Sequence, residues 1–336
     1  MATPGWPHAD SPFHEGERSI QARYGILERM DRQGRRIIRD HMPEQHRQFF
    51  AQLPYAIAGT VDSDGQPWAS ILVGEPGFMT AKGDRTLHLA TQPLFGDPLH
   101  HTLIPGADLG LLGIELPTRR RNRMNGTIQT VDASGIVVAV GQSFGNCPQY
   151  IQARRFDLTA YDPTRPRPRH ALTTLGPAER AMVAAADTFF IATAYQVASA
   201  GAASGVDVSH RGGNPGFVRI DDAQTLTIPD FSGNCHFNTF GNLELNPHAG
   251  LLFLDFERGD LLYLTGTAEV IWDGDEISQY PGAERLLRFY LHQGDRVEGS
   301  LPLGWSTPEV SPFLADLGPW TRENIFSDRV LHPDSG

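Results

Sequence analysis

Alternating and short continuous apolar runs, rather than helical spacing, dominate the chain from Tyr55 onward. The segment YAIAGTVDSDGQPWASILVGEPGF predicts strand, turn, strand, with DSDG as the turn. That turn lacks the remaining ligand positions of an EF-hand loop. Further short strands are predicted at RTLHLA, ADLGLLGIEL, MNGTIQTV and GIVVAVG. NCPQYIQARRF predicts a helix start, with Pro148 at its first position and Asn146 or Cys147 at the cap. The Pro/Arg-rich stretch Tyr161–His170 predicts a linker, and GPAERAMVAAA a helix. Strands return at DTFFIATAY, GFVRI, TLTIP, AGLLFLDF and LLYLTGTAEVIW, and PGAERLLRFYL predicts a closing helix. Ahead of Tyr55 the spacing is helical: Ile20, Tyr24 and Leu27 share a face, and Pro43 opens a helix that carries Phe49 and Phe50. The expected division is a helical leader (1–50), a first β domain (51–160), a linker (161–180), a second β domain (181–295) and an irregular tail (296–336).

The two β regions share a frame. SILVGEPGF (Ser70–Phe78) and SHRGGNPGF (Ser209–Phe217) both run from Ser to Gly-Phe with Gly and Pro at the same places. Their prolines, 76 and 215, lie 139 residues apart, as do TLHL at Thr86 and TLTI at Thr225. GLLGIE at Gly110 and GLLFLD at Gly250 lie 140 apart, as do the glycines of NGT (Gly126) and TGT (Gly266). A constant offset across four anchors predicts a tandem duplication of a mainly β unit, a barrel or sandwich with flanking helices. Two such copies on one chain would pack as a pseudo-dimer.

Composition narrows the function classes. The 336 residues carry a net charge of −11, against a bulk role on nucleic acid or anionic membranes. No apolar run approaches the roughly 20 residues that span a bilayer. The first residues lack signal-peptide order, and Cys147 and Cys235 are too few for a disulfide framework or a zinc site. A reduced, cytoplasmic protein without a metal site is expected. No dinucleotide-binding or P-loop glycine motif is present.

The anchors, taken in order, resemble the FMN-binding split β-barrel of the pyridoxamine 5′-phosphate oxidase superfamily. The second copy, over about residues 185–272, is similar to the flavin-nucleotide-binding branch of that superfamily. The first copy is similar more loosely over about 50–156, where FGNCPQYIQARR resembles the helix that follows the barrel. The resemblance implies two tandem split-barrel domains and FMN at their shared interface. Carried over position by position, it places Arg211 at the phosphate, with Ser209, Gly212 and Gly213 around it. A guanidinium offers a fork of donors, and glycines let backbone amides approach. The first copy has Leu72 where the second has Arg211. The loop before the NP pair carries Asn238 and Thr239 where the oxidases carry Arg-Lys. Asn234, His236, Asn238, Thr239 and Asn242 then offer neutral donors.

TRRRNRMNG (Thr118–Gly126) resembles the oxidase RQVRVEG strand, whose glutamine approaches the flavin; Arg121 takes that place. Strand alternation predicts Arg119, Arg121 and Arg123 on one face, meeting the Arg211 loop across the pseudo-two-fold. The resulting expectation is an FMN-dependent oxidoreductase acting on a small substrate. Electrons would come from a free pyridine nucleotide or a separate reductase, since similar chains form the front of larger reductase fusions. No residue is singled out as catalytic. A non-catalytic carrier of flavin, haem or deazaflavin is the alternative on the same fold, and a homodimer stays open.

Overall fold

The computed structural model describes residues 5–321. Two antiparallel sheets dominate it. The first contains β1 (Tyr55–Val61), β2 (Pro67–Val73), β3 (Met79–Ala81), β4 (Thr86–Leu89), β5 (Asp108–Glu115), β6 (Arg120–Asp132) and β7 (Gly135–Asn146), in the order β2-β1-β5-β6-β7-β4-β3. Two short strands, β8 (Phe156–Leu158) and β9 (Arg169–Leu172), lie between the sheets in sequence. The second sheet contains β10 (Thr188–Tyr195), β11 (Gly205–Gly212), β12 (Arg219–Ile220), β13 (Thr225–Asp230), β14 (His248–Leu254), β15 (Leu261–Ile271) and β16 (Arg285–Val297). Its order, β11-β10-β14-β15-β16-β13-β12, repeats the first strand for strand, with β9 added on β16. Near the C-terminus β17 (Leu303–Trp305) pairs with β8. The chain is therefore mainly β and carries two barrel units of one topology.

The repetition extends to register. Gly59 faces Gly110 across β1 and β5, and Ala192 faces Gly250 across β10 and β14. Leu112 faces Arg123 in the first sheet, and Leu252 faces Tyr263 in the second. Both long hairpins slip by one residue at the same glycine, between Asn125 and Gly126 and between Thr265 and Gly266. A Cβ at Gly126 would fall 2.0 Å from the Ala139 carbonyl oxygen, and one at Gly266 1.9 Å from that of Tyr290. The bulge therefore excludes a side chain in each copy.

The two barrels build three apolar cores, and a fourth cluster packs Trp6, Phe13, Met30 and Ile38 of the leader against Phe144. One lies inside each barrel, around Leu111, Met124 and Val138 in the first and Phe189, Leu264 and Phe289 in the second. The third lies between the barrels, where Ile57, Trp68 and Leu112 meet Phe190, Val208 and Tyr263. Paired glycines permit this approach. A Cβ at Gly110 would lie 2.6 Å from the Val206 carbonyl oxygen, and one at Gly250 2.3 Å from that of Pro67. Replacing Gly250 with alanine is expected to cost about 2 kcal/mol, since backbone rather than a flexible side chain blocks the new methyl. Urea denaturation of the variant measures it, and an unchanged midpoint would contradict the close approach.

Helices flank the sheets. The leader forms α1 (Glu15–Arg23), α2 (Leu27–Ile37) and α3 (Glu44–Gln52), broken after Tyr24 by Gly25 at φ +67°. It is integrated into the core, since Ile20, Phe49 and Phe50 are buried. A short α4 (Leu99–Thr102) follows β4, and α5 (Pro177–Ala185) starts at the expected proline. The expected linker 161–180 thus contains β9 and the first turn of α5. No helix among the described residues is long and apolar enough to cross a membrane.

Three local expectations are corrected. PGAERLLRFYL is not a helix: Arg285 onward is β16, held between β13 and β15 over residues 286–290. Its Arg, Leu and Glu favour a helix locally, and the two flanking ladders override that preference. The predicted helix at Pro148 is also absent. Residues 147–155 run irregularly across to the second barrel, where Gln152 donates to the Gly213 carbonyl at 3.0 Å. Conversely, the polar loop before the NP pair contains a helix, α6 (Asn238–Leu245).

Candidate functional site

A cavity of about 240 Å³ opens where β6 and β7 of the first barrel meet β11, β13 and α6 of the second. Both barrels supply its walls. Arg121 and Arg123 project from β6, Asn146 and Cys147 close β7, and Ser209, Arg211 and Gly212 come from β11. Asn234, Asn238 and Thr239 come from the loop and first residues of α6. Eight of the sequence-identified residues thus line one cleft.

The other four do not. Arg119 precedes β6, with φ +58° after a 3-10 turn, so it falls out of the strand alternation. Its guanidinium turns away, to the Ile151 carbonyl at 3.0 Å and to Glu309 at 2.9 Å. Gly213 packs under Phe217 and donates its amide to Asp187. His236 is buried between Phe13 and Phe144, on the side of its loop away from the cleft. Asn242 lies one turn deeper in α6, bonded to His14 at 2.9 Å and Thr193 at 3.0 Å.

The charges in the cleft fall into two groups. Arg211 and Arg285 share Asp230, at 2.5 and 2.8 Å. Arg123 is 3% exposed, and its two terminal nitrogens reach Asp207 at 3.1 Å, Asn238 at 2.8 Å, the Val208 carbonyl at 3.0 Å and the Ser209 hydroxyl, while its Nε has no partner among the described residues. Arg121 differs. Its Nε donates to the Cys147 carbonyl at 2.6 Å, and among the described residues no carboxylate pairs with it. Burial, Arg123 and Arg211 push its guanidinium down to about 9. Four arginines against Asp230 and Glu284 leave the lining cationic in a chain of net charge −11.

Helix α6 adds a second donor set. Its cap residue, Phe237, supplies no side-chain hydrogen bond, so the first amides of the helix keep free donors. Asn238, Thr239 and Phe240 border the cleft, which places this positive end of the helix at the Arg121–Arg211 pair. The opposite wall is aromatic, formed by Tyr24, Tyr150, Phe231 and Phe237. Arg285 lies beneath that wall, 5.4–5.6 Å from the rings of Tyr24, Phe237, Phe240 and Trp272.

Backbone strain concentrates here. Tyr150, Cys235 and Phe237 hold φ between +60° and +64°, and all three line the cleft. Each such residue costs on the order of 1 kcal/mol, a cost typical of ligand sites. Both cysteines, the whole complement of the chain, face the same cavity as free thiols. Cys147 sits at a strand end rather than a helix start, with its thiol 3.1 Å from Gln149 Oε1.

Several lining residues had no functional signal in the sequence. Arg285 was hidden by the helical reading of its segment, although Asp230 and Arg285 are direct cross-strand partners. Tyr24 belongs to the leader, and His210 alternates with Ser209 and Arg211 on β11. Burial, then Arg121 and Arg211, hold His210 neutral, and its Nε2 has no partner in the described chain.

The matching locus on the other side of the pseudo-two-fold is closed. By register, Arg121, Arg123, Ser209, Arg211 and Asp207 correspond to Leu261, Tyr263, Ser70, Leu72 and Trp68. All five are buried. Ser70 and Tyr263 converge there on the buried carboxyl of Asp97, the tyrosine at 3.3 Å. Ion pairs have been exchanged for apolar packing around one protonatable group.

No family model matches the chain, and no curated protein sequence does. Solved structures do. A putative pyridoxamine 5′-phosphate oxidase from Lactobacillus delbrueckii is 13% identical, covering 37% of this chain and 94% of its own, with a TM-score of 0.29. Group A Streptococcus HupZ is 13% identical over 35% of this chain and 89% of its own, at 0.26. HutZ, a haem storage protein from Vibrio cholerae, is 16% identical over 37% and 95%, also at 0.26. Each match spans about a third of the chain, comparable to one of its two barrels.

Proposed function

We propose that the chain binds FMN in this cleft, one molecule per chain, and acts as an FMN-dependent oxidoreductase on a small substrate. The observation that carries the reading is Arg121, a guanidinium without a carboxylate partner beside the uncapped end of α6. That donor set suits a phosphate. Arg121, Arg211 and the first amides of α6 would hold the phosphate, while Arg123 and Asp207 fix the floor. The aromatic wall would exclude water from the ring. FMN supplies the hydride and electron transfer when bound, and the chain's part is to place it and leave a path for substrate and for a pyridine nucleotide or a separate reductase. The identical strand order and register support descent from a duplicated barrel, and the closed second locus supports a single site.

His210 favours a second reading. A neutral imidazole with a free nitrogen is a haem ligand type, which fits a carrier rather than an enzyme. A visible spectrum of the purified protein separates the two: a flavin envelope for the first, a Soret band for the second. FMN titration is expected to saturate at one equivalent per chain and to shield both Cys147 and Cys235 from iodoacetamide. A colourless protein that gains no flavin, or thiols alkylated equally with and without FMN, would sink the FMN reading.

A further inference from the structure

The leader lies outside the barrel resemblance, yet it reaches the cleft at two points. Tyr24 caps the C-terminus of α1 at the cleft mouth, and its ring stacks on Phe237 at 5.5 Å and 22°. It remains 45% exposed, so nearly half of this large side chain is uncovered at the rim of a cavity. Glu17, two turns earlier on α1, is buried. Its carboxyl accepts the His14 amide at 2.8 Å, closing a capping box, and accepts the side-chain amide of Asn238.

A hydrogen-bond chain continues from there into the site. Asn238 opens α6, and its carbonyl accepts from Arg123 at 2.8 Å. Arg123 donates to Ser209, which Thr239 also approaches at 3.3 Å. Helices α1 and α6 press together to make this possible. A Cβ at Gly16 would fall 2.1 Å from the Gly241 carbonyl oxygen, and one at Gly241 2.5 Å from Glu17 Cγ. The groups facing Glu17 are His14, Asp207, Asn238 and Arg123; burial and Asp207 push its carboxyl well above the usual range.

We infer that the leader is a working part of the cleft, with Tyr24 packing against the bound ring and Glu17 acting as a positioning residue for Asn238, Arg123 and the start of α6. The inference rests on the FMN reading. Three probes separate its parts: FMN, riboflavin (the same ring without phosphate) and inorganic phosphate. Tyr24→Ala is expected to weaken FMN and riboflavin about tenfold and leave phosphate unchanged, while Tyr24→Phe binds like the wild type. Glu17→Ala is expected to weaken FMN and phosphate about tenfold. Glu17→Gln, which keeps an acceptor for Asn238, recovers most of that loss. Tyr24 is surface-exposed, so its variants report even where Glu17→Ala does not fold. Wild-type binding with unchanged FMN affinity in Tyr24→Ala overturns the role of the leader ring. Equal phosphate affinity in folded Glu17→Ala and wild type overturns the positioning role. A wild-type chain that binds none of the three probes removes the FMN reading itself, and this inference with it.

Discussion

Replacing Arg121 with methionine is expected to stabilise the ligand-free protein while weakening FMN about a hundredfold. The two effects have one cause. The guanidinium is partly buried beside Arg123 and Arg211 and lacks a carboxylate, so the hydrogen bond to the Cys147 carbonyl offsets only part of its desolvation in the empty fold. Methionine keeps much of the apolar stem and removes the charge, which should return about 2 kcal/mol to the apo state. A bound phosphate would lose a charge-assisted donor, worth roughly 2–3 kcal/mol. Arg211→Met should behave differently. It leaves Asp230 with Arg285 as its only cation, so binding and apo stability fall together. Leu72→Ala, at the matching position of the closed locus, should lower stability without touching FMN. Thermal melts with and without FMN, alongside isothermal titration, read both quantities. A destabilised Arg121→Met apoprotein, or one that binds FMN normally, contradicts the assignment.

The second large effect belongs to Asp97. Burial raises its carboxyl from an ordinary 3.8 to about 7, against the hydrogen bonds from Ser70, the Leu99 amide and Tyr263. Below about pH 4 both folded and unfolded chains carry the proton, so stability is full. As the pH rises towards 7 the unfolded chain ionises and the folded chain does not, and stability is progressively lost. Above about 7 the loss is constant. A shift of about three units corresponds to roughly 4 kcal/mol. Asp97→Asn keeps the shape and cannot ionise. It is expected to match the wild type near pH 3.5 and to exceed it by roughly 3–4 kcal/mol at pH 8. Urea midpoints across that range test it. A difference that does not depend on pH would show that Asp97 is held as a carboxylate.

How far the fold could be read from the sequence depended on where its information lies. The strand hairpins around DSDG and the four anchors were legible because turn chemistry and glycine demand are local: Gly126 and Gly266 sit in bulges that exclude a Cβ. Arg121 could be placed near Arg211 and Thr239 only through the resemblance, since it lies on the first barrel and they belong to the second. Arg119 was misassigned because strand alternation was extended one residue past the start of β6. Arg285 and Asp230 were missed because their pairing is a product of the sheet, and Arg285 stands in a segment with strong helix formers. Helix α6 gave no start signal, having Phe237 in a left-handed conformation where a Ser or Asp cap would normally stand. The closed locus was visible only as Leu72; Tyr263, Leu261 and Asp97 acquire meaning once register pairs them with Arg123, Arg121 and the α6 loop.

A homodimer of one such barrel would have to place the same residue at both of its clefts. Any substitution that tightened one site, or that filled it, would act twice. Two barrels on one chain are released from that bond. Position 263 can be tyrosine while position 123 stays arginine, and position 72 can be leucine while position 211 keeps its charge. Strained backbone and like-charged arginines can then gather at one cleft while its counterpart is filled by buried side chains. The trade between stability and function, which each cleft of a symmetric dimer must settle within itself, is here divided between two loci, each built from both barrels.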